Sequence, residues 1–279
     1  MKKNIFCSGV MMVMLIIASC SKKVEEPLPP PAPAPPATDK SFIQLKDVII
    51  DHLPSPYFHF IYNDSGYVTS LDFASGLFKY ELAYTDNRVT KMTDTNNDYF
   101  LSYQYIDGDV SSIKHINNRT GKPEWHYAFT YYNKHQLSEI RWFGFENNNK
   151  DSTLERVVQL AYYPDGELSV FYEFRKNLDG YVIWSRTVTF EDYDQRINVD
   201  GFYLLKDFFD DVLFLPQVWL QRRNPERVTS TSAAEDYTTE YSYQYNFNNV
   251  PLKKTGHRIV TKGPNTGKES TSEERFSYY

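Results

Sequence analysis

A chain of 279 residues in which 16% of side chains are aromatic, with 23 Tyr and 19 Phe against 12 Gly, can bury one sizeable core and is richer in sheet formers than helix formers. Its formal net charge of −6 leaves no electrostatic case for nucleic-acid binding, which needs a basic surface. Both cysteines, Cys7 and Cys20, lie near the N-terminus, so the remainder of the chain has no disulfide, thiolate metal site or cysteine nucleophile.

The first residues read as an address. Lys2 and Lys3 precede an apolar run, Val10 to Ile17, that is too short to span a bilayer stably. Ile17-Ala18-Ser19-Cys20 resembles the lipobox of bacterial lipoproteins. That resemblance implies removal of residues 1–19, acyl chains on Cys20 and a mature chain held to a membrane through its N-terminal lipid. Residues 20–40 then form a tether: Pro27 to Pro36 favours polyproline II and reaches roughly 50 Å from the membrane at most.

The folded part is expected over 41–279. Ile43, Leu45, Val48 and Ile50 suit a first strand, although Val48-Ile49-Ile50 suits a short helix as well. A repeat follows, in which two large residues one apart precede a turn and an apolar residue opens a return strand. The pairs are Phe60/Tyr62, Leu82/Tyr84, Tyr103/Tyr105, Phe129/Tyr131, Leu160/Tyr162, Val188/Phe190 and Tyr243/Tyr245. The return residues are Val68, Val89, Val110, Leu137, Leu168, Ile197 and Val250. Alternation puts both members of a pair on one sheet face, and the Asn, Asp and Gly between them tolerate the positive φ of a tight reversal. Each copy is therefore a β-hairpin that buries its apolar face against its neighbours.

Between the last two copies lies an insert, Gly201 to Arg223. Leu205, Phe208, Phe209 and Val212 recur at helical spacing, with Asp207, Asp210 and Asp211 opposite, Asp200 as N-cap and Pro216 as terminator. Such an apolar helix is expected to pack on the concave side of the sheet or to close its open end. Hairpins then resume over Tyr241 to Leu252 and His257 to Tyr279. The fold class is all-β: a long antiparallel meander of about sixteen strands, strongly curved or closed into a barrel, with one helical insert.

Segments such as Tyr162-Tyr163-Pro164-Asp165-Gly166-Glu167-Leu168 resemble the YD repeats of rearrangement-hotspot and teneurin-type shells. The combination of lipobox, tether, degenerate hairpins and late insert resembles a family of Bacteroidota envelope lipoproteins with a domain of unknown function and a porin-like fold. That likeness is architectural, covers roughly residues 40–279 and implies no catalytic residue. Lys22-Lys23 after the lipobox departs from the acidic run that resembles a surface-export signal, leaving the periplasmic and cell-surface faces of the outer membrane both open.

Chemical motifs are sparse. Asp94-x-Asn96-x-Asp98 opens like a calcium loop, but Tyr99 replaces the turn glycine and Tyr105 the closing glutamate, so a polar turn is expected and no metal site. His52, His59, His115, His126, His135 and His257 lack metal-ligand spacing. Glu124, Glu139 and Glu173 suit paired carboxylates only if the sheet makes them converge. Trp125, Trp142, Trp184 and Trp219 are the aromatic candidates for stacking on a ligand. No cofactor is implied. The expectation is a non-enzymatic envelope lipoprotein, a binding or scaffold module for a glycan, an apolar ligand or an envelope protein. An outer-membrane pore-like barrel and a hydrolase acting on envelope polymers are the alternatives.

Overall fold

The structure, a computed structural model, describes residues 43–133, 135–146, 151–199 and 212–279. The signal segment, Cys20 and the tether lie outside them. Sixteen antiparallel strands follow one another in chain order and close into a barrel. They are β1 (Leu45–Ile50), β2 (Phe58–Tyr62), β3 (Val68–Phe73), β4 (Phe78–Thr85), β5 (Arg88–Asp94) and β6 (Tyr99–Ile106). Next come β7 (Asp109–Asn117), β8 (Pro123–Asn133), β9 (Gln136–Glu146), β10 (Asp151–Tyr162), β11 (Leu168–Lys176) and β12 (Val182–Tyr193). The last four are β13 (Pro225–Ser232), β14 (Asp236–Tyr245), β15 (Pro251–Lys262) and β16 (Glu269–Tyr278). Val48 of β1 pairs with Phe276 of β16 on one side and Phe58 of β2 on the other, which closes the ring without a free edge.

The turns have the chemistry their geometry needs. Asp86 and Asn87 between β4 and β5, and Asp107 and Gly108 between β6 and β7, all take positive φ, as a two-residue hairpin turn requires. At Asn63, Tyr163, Asn177 and Asn246 a longer turn recurs in one form. The amide of the first residue donates to the carbonyl four residues on, and the amide three residues on donates back.

Alternate side chains point inward and pack as one core, from Phe58, Phe60, Leu71 and Tyr80 through Leu101, Ile113, Tyr127 and Ile140 to Leu160, Phe171 and Phe190. The first member of every expected pair but the last is such a core residue; in the last, Tyr243 is half-buried and itself supplies the hydroxyl, while Tyr245 bonds the Asp194 carboxylate. The tyrosine that follows does something else. The pairing register slips by a residue beside Tyr62, Tyr84, Tyr105, Tyr131, Tyr162 and Tyr245, and a bulge of this kind re-aims a side chain. The hydroxyl then donates to a carbonyl at the start of the preceding strand. Tyr62 reaches Leu45 (3.0 Å), Tyr84 Val68 (2.7 Å), Tyr105 Val89 (2.9 Å) and Tyr131 Val110 (2.9 Å). Tyr162 reaches Leu137 (2.7 Å), Tyr193 Leu168 (2.7 Å), Tyr243 Pro225 (3.0 Å) and Tyr278 Pro251 (2.5 Å). Every even strand thus bonds to the odd strand before it, and all these bonds lie at one rim.

Two expectations need correction. The sixth copy reads Phe190/Tyr193, not Val188/Phe190: Phe190 is the buried member, and Tyr193, after Asp192 at φ 55°, supplies the hydroxyl. The expected helical insert near 201–223 lies up to residue 211 outside the described residues. From Val212 to Arg223 it is irregular, not helical. Pro216 brings no amide hydrogen, Gln217 takes φ 68°, and the amides of Arg222 and Arg223 donate to the Glu167 carboxylate instead of to a helical ladder. Its apolar residues are still buried: Val212, Leu213, Leu215 and Leu220 join the barrel core, and the Leu168 amide donates to the Leu220 carbonyl at 3.1 Å. Residues 212–223 therefore lie against the tyrosine rim, where Gln221 also donates to the Tyr193 hydroxyl.

Replacing Tyr162 by Phe strands the Leu137 carbonyl. Urea unfolding is expected to show a loss of about 1–2 kcal/mol, whereas Tyr181→Phe, at an exposed ring, changes little. Burial also pushes the phenols of Tyr62 and Tyr105 up to about 12, and those of Tyr84, Tyr131, Tyr162 and Tyr193 further. An unfolded chain ionises its tyrosines near pH 10 and so sheds protons that the folded barrel keeps. Stability is accordingly full below about pH 10 and falls as pH rises past it, with tyrosinate absorbance from these rings appearing together with unfolding.

Candidate functional site

The inward positions change chemistry partway round the barrel. From β2 to β10 they are mostly large and apolar and fill the interior. On β14 they are Tyr237, Thr239, Tyr241 and Tyr243, on β15 Lys254, Gly256 and Arg258, and on β16 Ser270, Ser272 and Glu274. These do not fill the space in front of them. A cavity of about 360 Å³ remains between this wall and Phe171 of β11 with Arg186, Val188 and Phe190 of β12. Gln221 of the insert and Pro225 bound it towards the closed rim. Arg258 and Ser270 stand towards the other rim, where Ser270 and Ser272 are exposed. Gly256 lets the strand approach this closely: a Cβ there would lie 2.8 Å from both Ser272 Oγ and Tyr241 Cε1.

Three cations face the cavity, each fixed by its neighbours. Lys254 Nζ lies 3.5 Å from Glu274 Oε1 and 4.7 Å from the centre of the Tyr241 ring. The Arg258 guanidinium lies 3.6 Å over Tyr237 and donates to Glu235 at 3.1 Å. Arg186 reaches back to Glu173 at 2.5 Å.

Glu173 is the centre of a buried ion cluster. It is fully buried, and Arg156, 5% exposed, meets it at 2.7 Å, with Arg175 and Arg186 on the same carboxylate. Burial drives the Glu173 carboxyl upward, but the three guanidiniums outweigh it and hold the group below the usual carboxylate range. Burial brings Arg156 down to about 10 against the pull of Glu173. Glu167, also buried, ties down the insert by accepting from the Arg222 and Arg223 amides and from Arg223 Nε at 3.0 Å.

The four tryptophans do not gather in this cavity. Trp125 stacks on His115 at 3.6 Å, and Trp142 lies against Tyr127 on the neighbouring strand, both packed on the core. Trp184 is an exposed ring whose indole donates to Thr187. Trp219 lines a second cavity of about 150 Å³ with Leu45, Phe60 and Phe214. Nor do the three glutamates converge: Glu124 bonds Asn117, Glu139 bonds Gln159 and Arg141, and Glu173 faces its arginines. The Asp94 carboxylate caps its own turn, accepting from the amides of Asn96 and Asn97. His59, His135 and His257 each face a single carboxylate, on Asp47, Asp109 and Glu269 respectively. Sequence reasoning passed over Arg186, Lys254 and Arg258. Their signal is the inward phase of strands whose other inward residues are small or hydroxylated.

Two solved structures share this fold. A porin-like protein from Bacteroides uniformis ATCC 8492 superposes with a TM-score of 0.54 at 15% identity, over 86% of this chain and 96% of that one. A porin-like protein from Bacteroides vulgatus ATCC 8482 gives 0.56 at 13% identity, over 85% and 99%. At such identities the likeness is one of fold alone. No family model and no curated protein matches the sequence.

Glu173→Gln removes a charge that compensates Arg156 and Arg186. A loss of about 3–5 kcal/mol in denaturant unfolding is expected, since the buried Arg156–Glu173 ion pair is broken.

Proposed function

We propose that the chain is a non-enzymatic cell-envelope lipoprotein whose barrel is a binding or scaffold module that holds its ligand in the cavity of the β11–β16 wall. The observation that carries this is the polarity of the two faces. Outward positions bear charge from strand to strand, with Lys79 and Glu81 on β4, Arg141 on β9, Arg227 on β13, Glu240 on β14 and Arg275 on β16 all exposed. A barrel that crosses a membrane presents an apolar band about 25 Å tall to lipid, and a lysine or arginine at its midplane costs about 2–4 kcal/mol. Here most large apolar side chains of β2–β10 are inside and pack as one core. Residues 212–223 lie against one end of the barrel.

Attachment to the membrane then falls to the lipid on Cys20, at either face of the outer membrane. A non-enzymatic role is supported by the cavity's own acid, Glu274, which is engaged with Lys254. Trp184, on the outer surface, is available to an envelope partner.

The pore-like alternative draws support from ring closure and from the likeness to two proteins described as porin-like. The full-length chain carrying Cys20→Ser separates the two. Release from membranes without detergent, with no conductance in planar bilayers, is the expected result. Continued dependence on detergent together with discrete conductance steps would establish the pore instead.

A further inference from the structure

We infer that the cavity is a binding site for a carboxylate-bearing sugar, a hexuronate. This rests on the reading of the barrel as a ligand-holding module and specifies what it holds.

Charge is the first argument. Arg186, Lys254 and Arg258 line the cavity and meet Glu173, Glu274 and Glu235 respectively. Arg156 and Arg175 share Glu173 with Arg186, so five cations stand against three acids at this wall, in a chain whose overall charge is −6. The surface as a whole repels an anion, so attraction has to be local, and this lining supplies it. Lys254 and Arg258 lie on the faces of Tyr241 and Tyr237, so their positions are set before any ligand arrives and little ordering remains to be done on binding. Hydrogen bonds from such cations to a carboxylate are charge-assisted and short.

The rest of the lining selects the scaffold that carries the carboxylate. Thr239, Ser270, Ser272 and Gln221 offer donors and acceptors suited to ring hydroxyls. Across from them, Phe171 and Phe190 give an apolar surface for the C–H face of a pyranose. A fatty acid would satisfy the cations but lay methylenes against the hydroxyl wall, desolvating those groups without return. The volume, about 360 Å³, is near the lower end of the ~300–1,000 Å³ common for small-ligand sites and is blocked at the insert, which suits a compact ring over an extended chain.

The test is calorimetric titration of the full-length protein with D-glucuronate, D-glucose and octanoate, repeated on Lys254→Gln, Arg258→Gln and Gly256→Val. Glucuronate is expected to bind at least ~tenfold more tightly than glucose or octanoate, and each cation variant to weaken it at least ~tenfold. Gly256→Val, which pushes a side chain against Tyr241 and Ser272, is expected to abolish binding. The Arg258 side chain is 40% exposed, so its replacement tests the site even if Lys254→Gln unfolds the barrel. Glucuronate binding that Arg258→Gln and Gly256→Val leave unchanged would overturn the site. Glucose or octanoate binding more tightly, and being lost in Gly256→Val, would overturn the acidic-sugar assignment while upholding the module. No heat with any of the three probes would also overturn the assignment, whereas only bilayer conductance would overturn the module.

Discussion

The constraint on which the barrel depends is the ring of tyrosine hydroxyls at its closed rim. A sixteen-strand meander has seven connections at that rim, from β2–β3 to β14–β15, and the seam between β16 and β1 makes the eighth place. The eight bonds from Tyr62 to Tyr278 tie each even strand to the odd strand before it, from β1 to β15. Each is worth on the order of 1 kcal/mol, and five of them, at Tyr62, Tyr84, Tyr105, Tyr131 and Tyr162, sit beside a bulge. A bulge sets the phase of alternation on its strand, and so which side chains face inward. Tyr279 adds a bond across the seam, its hydroxyl donating to the Phe60 carbonyl while its amide donates to Gln44.

Phase explains how one repeat yields both a core and a cavity. A barrel of sixteen strands is too wide for side chains of one size to meet at its axis, so bulk must be distributed unevenly. Phenylalanine, tyrosine and leucine crowd the β2–β10 half. The β14–β16 half carries Thr239, Gly256, Ser270 and Ser272 in the same phase, and the space they fail to occupy becomes the cavity. Lys254, Arg258 and Glu274 sit inward there beside the cavity, Lys254 paired with Glu274 and Arg258 with Glu235. Arg156 and Glu173 are fully buried or nearly so, and they are tolerable only as an ion cluster in which three guanidiniums meet one carboxylate.

Much of this architecture is legible in the residues. The spacing of pairs such as Leu82/Tyr84 and Leu160/Tyr162, with Asn, Asp and Gly between copies, gives the strand count, the antiparallel order and the turns. The role of the tyrosine is not, because its partner is a backbone carbonyl 16 to 27 residues earlier, and a carbonyl has no identity in a sequence. Phe190 misleads for the same reason: an aromatic at the right spacing looks like a copy of the tyrosine until the hydroxyl is asked for. The insert misleads differently. Leu205, Phe208 and Phe209 lie outside the described residues, but Val212, Leu213, Leu215 and Leu220 are buried in an irregular segment, and Glu167 takes the amides of Arg222 and Arg223. The cavity is the least legible part, since alternation tells which residues face inward but not how far away the opposite wall stands.

The closed rim also orients the molecule. Leu45, at the start of β1, accepts the first bond of the tyrosine ring, so the chain enters the barrel at the end that the insert covers. Whatever precedes β1 joins there. The exposed cavity residues Ser270 and Ser272, and the partly exposed Arg258, lie towards the opposite rim near the β13–β14 and β15–β16 turns. The open side of the cavity and the start of β1 are therefore at opposite ends of the barrel, so a ligand can enter the cavity without disturbing the tyrosine ring.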